Sequence, residues 1–386
     1  MTSEERREGR YQRRKAKRDL TRRECKNFEE VFTFEHLFNS YLKARQNIQW
    51  KRSVKVYCFE APSRVYRTFR ELLTGRYKSR ELIEFDLFER GKHRHISSVP
   101  FRDRIVQKTL CDLSLDPVIA GSFIYDNGAS QKDKGYHFHI RRMVRHLQYH
   151  YRKHGTEGYI LLFDFQKFFE NVSHEVINGI LAKKFSDPKL WKLFHEFIDC
   201  YGDKGLGLGA QISQTLALLS ASPLDHYVKE QLHVKGYGRY MDDGYLIHHS
   251  KAYLQKCLKL VRGMCDILHI NLNMKKTQIV KLTHGFTFLK CRFFLLETGR
   301  VVKKIYKRSV TKVRQKLKKL RKFLDEGRMS YDLVRASIQS WLGYAQHFDA
   351  FHTTQNIKRL YNDLFHEEEY LWKIDRYERQ KLKKTA

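Results

Sequence analysis

The chain has 386 residues, 41% of them hydrophobic and 13% aromatic, and its 75 Lys and Arg outnumber 43 Asp and Glu to give a formal charge of +32. That composition describes a folded protein of two or three subdomains and points to a polyanionic partner, nucleic acid first, with a solvated basic surface or membrane attraction as the plainer readings. No apolar run nears the roughly 20 residues of a spanning helix and no secretory stretch opens the sequence. Seven scattered cysteines without a CxxC pair support neither a disulfide scaffold nor a zinc ribbon. A soluble, intracellular protein is expected.

Residues 1–27 form a basic arm, either disordered or a helix that orders on a phosphate backbone. From Phe28 to about Arg90 the apolar spacing (Phe32, Leu37, Tyr41; Val65, Phe69, Leu72) predicts helix, with Gly75 as a stop, and Ile96 to Pro100 reads as extended. A second helical pattern spans His137 to His154 and closes at Gly155. The continuous apolar run Tyr159 to Phe163 predicts a buried strand with Asp164 at its end. Tyr237 to Tyr240 and Tyr245 to His248 are β-prone and flank Met241-Asp242-Asp243-Gly244, which predicts a hairpin with both acids at the turn. Beyond Lys307, Val313, Leu317, Leu320 and Leu324 keep helical period on a very basic helix that Gly327 ends. No internal repeat, low-complexity linker or hinge is evident.

Three acids on adjacent strands suit one kind of chemistry. In-line attack of a 3′ oxygen on an α-phosphate is stabilised by two divalent cations about 4 Å apart, and magnesium prefers a few carboxylates with phosphate oxygens and water. Asp164, Asp242 and Asp243 would supply such a set; as simple turn and strand-end acids they would need no such role.

The surrounding motifs carry a resemblance. Tyr240-Met241-Asp242-Asp243 resembles the YxDD signature of reverse transcriptases, and Phe163-Asp164-Phe165-Gln166-Lys167-Phe168-Phe169 resembles their first catalytic motif. The resemblance implies an α+β right-hand polymerase fold and RNA-directed DNA synthesis with two Mg2+ ions, Mn2+ as substitute, on Asp164, Asp242, Asp243 and the backbone carbonyl of Phe165. It gives Phe169 the place of the bulky side chain that excludes a ribose 2′-OH, though a plain core residue would look the same. Arg94-His95-Ile96 with Pro100 and Asp103-Arg104-Ile105-Val106-Gln107 resembles the fingers motifs of group II intron-like enzymes, so Arg94 and Arg104 would grip the triphosphate; as surface ion pairs they would not. Asn273-Met274-Lys275-Lys276-Thr277 resembles the palm motif that brings Lys275 or Lys276 near the phosphates. Gly285-Phe286-Thr287-Phe288-Leu289-Lys290 resembles the primer grip, so Phe288, Leu289 and Lys290, with Tyr240 and Met241, would meet primer and template.

Gly209-Ala210-Gln211-Ile212-Ser213-Gln214, preceded by Leu208, stands where most reverse transcriptases carry QGxxxSP, and resembles the enzymes of diversity-generating retroelements. That resemblance implies error-prone copying and places Leu208, Gly209, Gln211, Ser213 and Gln214 at the nucleotide, with ordinary packing as the alternative for Leu208. The expected partners are an RNA template, a DNA or RNA primer and deoxynucleotides, with a structured noncoding RNA and a small accessory protein as possible additions, and no membrane. A bacterial or phage-encoded cytoplasmic enzyme is expected. Anti-phage defence with a noncoding RNA template and a non-catalytic RNA-binding scaffold are the alternative roles, while RNA-templated RNA synthesis is disfavoured by Phe169.

Two further patterns carry less. His93, His95, His137, His139, His146 and His150 lack acid or cysteine partners at zinc spacing. The glycines at 202, 205, 207 and 209 lack the Lys-Ser/Thr ending of a phosphate loop and better serve close backbone approach. The expected linear division is a basic arm (1–27), fingers with the start of the palm (28–157), palm (158–300) and a helical thumb with a basic C-terminus (301–386), for which a partner-binding helix bundle is the alternative.

Overall fold

A computed structural model describes residues 25–89 and 91–365, with 4–5, 8–9, 11–13 and 15–16 from the basic start. Most of the basic arm and the basic C-terminus beyond 365 lie outside the described residues. The chain divides into two compact units, one within residues 1–143, 163–246 and 252–278, the other within 144–162, 247–251 and 279–386. Among the described residues no helix is long and apolar enough to cross a membrane.

After a single helical turn at Phe28–Val31, the first unit has helices α1 (Phe34–Ala44), α2 (Arg52–Phe59) and α3 (Ala61–Leu73). The Thr33 side chain caps α1 by accepting the His36 amide at 3.1 Å, which satisfies one of the donors left orphaned at a helix start. Val65, Thr68 and Leu72 lie on the buried face of α3, and the chain leaves helical geometry at Gly75, φ +67°. Here the helical expectation overruns. Strand β1 (Ile83–Glu89) pairs antiparallel with β2 (Lys92–Ser98), Phe85 opposite Ile96 and Leu87 opposite Arg94. Ile83, Phe85 and Leu87 alternate with Glu84 and Asp86, and a period of two belongs to a strand.

Helix α4 (Phe101–Leu110) follows Pro100. Its Asp103 is fully buried and accepts from Tyr77 Oη (2.7 Å), the Arg80 amide (3.0 Å) and Arg102 Nη1 (3.2 Å), so a carboxylate inside the unit meets three donors. Helix α5 (Tyr136–His154), which Gly155 ends at φ +58°, has residues in both units, as does β3 (Tyr159–Asp164). Helices α6 (His174–Ala182), α7 (Pro188–Ile198) and α8 (Gln211–Ser220) precede the hairpin of β4 (Gly236–Tyr240) and β5 (Asp243–His248); α9 (Lys251–Ile267) and β6 (Gln278–Lys281) follow. The strands form one sheet in the order β4-β5-β3-β6. Ile160, Leu161, Leu162 and Phe163 of β3 are all buried, as a continuous apolar strand requires.

In the second unit β7 (Phe286–Phe288), β8 (Cys291–Leu295) and β9 (Val301–Ile305) make an antiparallel sheet. Helices α10 (Lys307–Asp325), α11 (Tyr331–Ala345) and α12 (Phe351–Phe365) share a core that includes Val313, Leu317, Leu320, Ile338, Ile357 and Tyr361. The apolar stripe of α10 at 313, 317 and 320 is the predicted one, and Gly327 ends this stretch at φ +66°.

Candidate active site

Asp164 is the last residue of β3 and only 7% exposed. Beyond it the chain is held on both sides. On one, Phe165 lies antiparallel to Leu272, the Asn273 amide donates to the Asp164 carbonyl (2.8 Å) and the Gln166 amide to the Asn271 carbonyl (2.7 Å). On the other, the Phe165 amide donates to the Asp242 carbonyl at 3.0 Å. These bonds make Phe165 and Leu272 a pair without mutual hydrogen bonds, which turns the amide and carbonyl of Phe165 toward the 242–243 hairpin.

The hairpin turn is tighter than the sequence suggested. Only Met241 and Asp242 lie between the strands, and Asp243 is already the first residue of β5. Met241 takes φ +57°, the left-handed conformation that the first position of such a two-residue turn demands. Gly244 cannot be replaced without conflict, because a Cβ there would overlap the Phe163 ring.

The Asp164 carboxylate accepts from Asn273 Nδ2 (3.2 Å) and from Lys276 Nζ (2.7 Å). Burial pushes the Asp242 carboxyl above its ordinary range; the charge of Asp164 adds to this, while Lys276 and Arg239 oppose it. Against the lowering effect of burial, the hydrogen bond to Asp164 and the charges of Asp164, Asp243 and Asp242 raise the Lys276 ammonium. Asp164 and the Asp242–Asp243 pair, distant from each other in sequence, thus come near one ammonium. Among the described residues no three His, Cys, Asp or Glu side chains form a ready metal-ligand set; beside Asp164 the cationic partner is Lys276.

Behind the turn lies a constellation that the sequence did not announce. Arg239 and Asp225 are fully buried and paired twice, Nε to Oδ1 at 2.7 Å and Nη2 to Oδ2 at 2.6 Å. Tyr237 Oη (2.7 Å) and Asn127 Nδ2 (3.3 Å) also donate to Asp225. Burial and the neighbouring Asp225 charge hold the Tyr237 phenol well above its usual range. The available signal was an arginine inside the otherwise uncharged strand Gly236–Tyr240.

The expected nucleotide residues are partly gathered. Leu206 donates its amide to the Phe169 carbonyl (2.7 Å) and Gly205 to the Val172 carbonyl (2.8 Å), which lays the glycine-rich segment along Phe169. At Gly205, φ +86°, a Cβ would stand 2.7 Å from the Glu170 carbonyl oxygen, so the close approach needs glycine. Phe169 and Leu208 are half-buried, Gly209 takes φ +103°, and Ser213 is fully buried. Gln214 accepts from Ser130 Oγ at 2.9 Å. Gln211 is committed elsewhere: its amide donates to Asp112 (2.9 Å) and Asp116 (3.2 Å).

Arg104 is half-buried with Nη2 3.4 Å from Ser98 Oγ and from the Val99 carbonyl, whereas Arg94 is exposed on β2. Lys275 is exposed, and Tyr240 is half-buried beside His139. His139 is itself fully buried between Tyr240 and Tyr245, and His93 and His95 approach Asp86 at 3.2 and 3.1 Å. In the second unit Leu289 and Lys290, both at positive φ, form the two-residue turn between β7 and β8, with Phe288 opposite Cys291.

The chain is similar to several known proteins. Protein YkfC of Escherichia coli (strain K12) is 24% identical over 263 residues, which cover 57% of this chain and 68% of YkfC. Among solved structures, telomerase from Candida albicans in complex with a TWJ fragment of telomeric RNA gives a TM-score of 0.46 at 11% identity, covering 76% of this chain and 61% of that one. Apo telomerase from Candida tropicalis, truncated from its C-terminal domain, gives 0.43 at 14% identity over 62% of this chain and 59% of that one. The chain thus spans about three-fifths of the telomerase chains it matches. The family described as reverse transcriptase (RNA-dependent DNA polymerase) matches residues 78–293, a stretch that contains all three acids. Because that match spans more than half of the sequence, the chain belongs to the reverse transcriptase family, with the α+β right-hand fold of those polymerases.

Proposed function

We propose that this protein copies RNA into DNA at a site where Asp164, Asp242, Asp243 and the Phe165 carbonyl hold two divalent cations, Mg2+ in the cell. The observation that carries the reading is the Phe165 amide on the Asp242 carbonyl at 3.0 Å, which holds the end of β3 at Asp164 against the 242–243 hairpin, with the Lys276 ammonium 2.7 Å from Asp164. Such a donor set fits hard oxygen-seeking cations, and a lysine cation already stands at one of its carboxylates. When bound there, the divalent ions would offset charge on the attacking and leaving oxygens of phosphoryl transfer.

The chain's own residues do the rest. Lys276 Nζ neutralises Asp164 until the divalent ions bind. Arg94, Arg104 and Lys275 supply positive charge for the triphosphate. Phe169, held against the glycine-rich segment, fills the space of a 2′-hydroxyl and selects deoxynucleotides. Tyr240 and Met241 border primer and template, and by resemblance alone the Phe288–Lys290 hairpin belongs to primer contact. We assign the fingers with the start of the palm to 28–157, the palm to 158–300 and the thumb with the basic C-terminus to 301–386.

The biological role we favour is error-prone copying in a diversity-generating retroelement, because Leu208 replaces the polar residue ahead of Gly209 and Gln214 follows Ser213. A noncoding RNA and a small accessory protein belong to that proposal. Purified protein given primed RNA, deoxynucleotides and Mg2+ should extend the primer, and Asp242→Ala should not. Equal extension by both would refute the site.

A further inference from the structure

Burying an arginine and an aspartate together strips both of water, and a well-packed apolar pair of equal volume is often at least as stable. The Arg239–Asp225 pair, 0% exposed on both sides, therefore calls for a reason other than stability. Its remaining hydrogen bonds supply one. Arg239 Nη1 donates to the Met241 carbonyl at 2.7 Å, and Nη2 also reaches the Leu218 carbonyl at 3.2 Å. Met241 is the left-handed residue of the turn, and its carbonyl belongs to the peptide that carries the Asp242 amide. Leu218 lies on α8, whose first turns carry Ser213 and Gln214.

The anchor of this fork is itself fixed. Asp225 receives two bonds from Arg239, one from Tyr237 and one from Asn127, so both carboxylate oxygens are engaged. The backbone of Arg239 is held on the same side, its amide on the Asp126 carbonyl (3.2 Å) and its carbonyl on the Gly128 amide (3.1 Å). A guanidinium has a rigid planar set of donors, so it can serve a carboxylate and two carbonyls at once.

We infer that Arg239, anchored on Asp225, is a positioning residue that locks the peptide between Met241 and Asp242 and ties the turn to α8, fixing where the acids stand. The inference rests on the assignment of those acids above. Arg239 touches no reacting atom; it sets the aim of Asp242 and Asp243. A lysine there keeps a charge for Asp225 but cannot reach both carbonyls.

The test compares wild type with Arg239→Lys, and with the charge-free pair Arg239→Met/Asp225→Leu as the variant to use if the lysine protein does not fold. Steady-state extension and Mn2+ binding without nucleotide are both measured. Expected for a folded variant are a kcat lower by about tenfold to a hundredfold, a KM for deoxynucleotide within about threefold of wild type, and weakened Mn2+ binding. A folded variant with wild-type kcat and wild-type Mn2+ affinity overturns the positioning role. If the wild type neither extends a primer nor binds Mn2+, it is the assignment of the acids that falls.

Discussion

Lys276 places its ammonium 2.7 Å from Asp164 Oδ2, so the site carries its own cation on the carboxylate that ends the central apolar strand. The lysine side chain is 57% exposed, which leaves it free to leave. With its ammonium in water and its carboxylate buried, the pair contributes up to about 1 kcal/mol. Lys276→Ala should therefore tighten binding of Mg2+ to the nucleotide-free protein by about two- to fivefold. Thermal melting against added Mg2+ would read this as a larger upward shift than in wild type; an unchanged or smaller shift would mean that the lysine does not compete with metal.

Phe169 should set sugar selectivity. Truncation to alanine removes the bulk proposed to fill the 2′-hydroxyl position, and the preference for deoxynucleotides over ribonucleotides should fall by about tenfold or more. The ratio of kcat/KM for the two substrates measures it. A ratio equal to wild type would make Phe169 a packing residue only.

Two glycines predict opposite outcomes of the same substitution. Gly244→Ala drives a methyl into the Phe163 ring beside the acids and should destabilise the fold by about 1–3 kcal/mol. Gly179, within α6, has nothing near its vacant Cβ position, and Gly179→Ala should stabilise by about 0.5–1 kcal/mol. Urea unfolding of the two variants beside wild type checks both signs.

His150 makes stability depend on pH. Its Nε2 lies 2.8 Å from the Glu157 carbonyl oxygen, and burial, with His154 and His249 adding, lowers its pKa below the ordinary 6.5. As pH falls through 6.5 the unfolded chain takes up this proton first, so stability drops until the folded imidazole is also protonated. Melting temperatures across that window should decline more steeply for wild type than for His150→Gln. Parallel declines would contradict the assignment.

The parts of the site legible in sequence were those carried by local pattern. A continuous apolar run predicted β3 and put Asp164 at its end, and β-prone residues on both sides of Met241-Asp242 predicted the hairpin. The strand of Ile83, Phe85 and Leu87 was missed because a helical reading was carried past Gly75 into residues whose alternation has period two. Asp243 was placed in the turn because the four-residue spacing does not reveal that Met241 alone adopts a left-handed conformation. Gln211 pairing with Asp112 and Asp116, and Arg239 with Asp225, depend on side chains brought together from distant segments, which no local period encodes. The two units are likewise assembled from interleaved stretches, which no local pattern encodes.

Asp164 and the Asp242–Asp243 pair are proposed to bind divalent cations jointly. Electron paramagnetic resonance of Mn2+ titrated into the protein with a deoxynucleotide tests it directly, comparing wild type with Asp164→Asn and Asp242→Asn. Two bound ions are expected in wild type and loss of tight binding in each variant, since either change removes a shared ligand. Undiminished Mn2+ binding in either folded variant would contradict it.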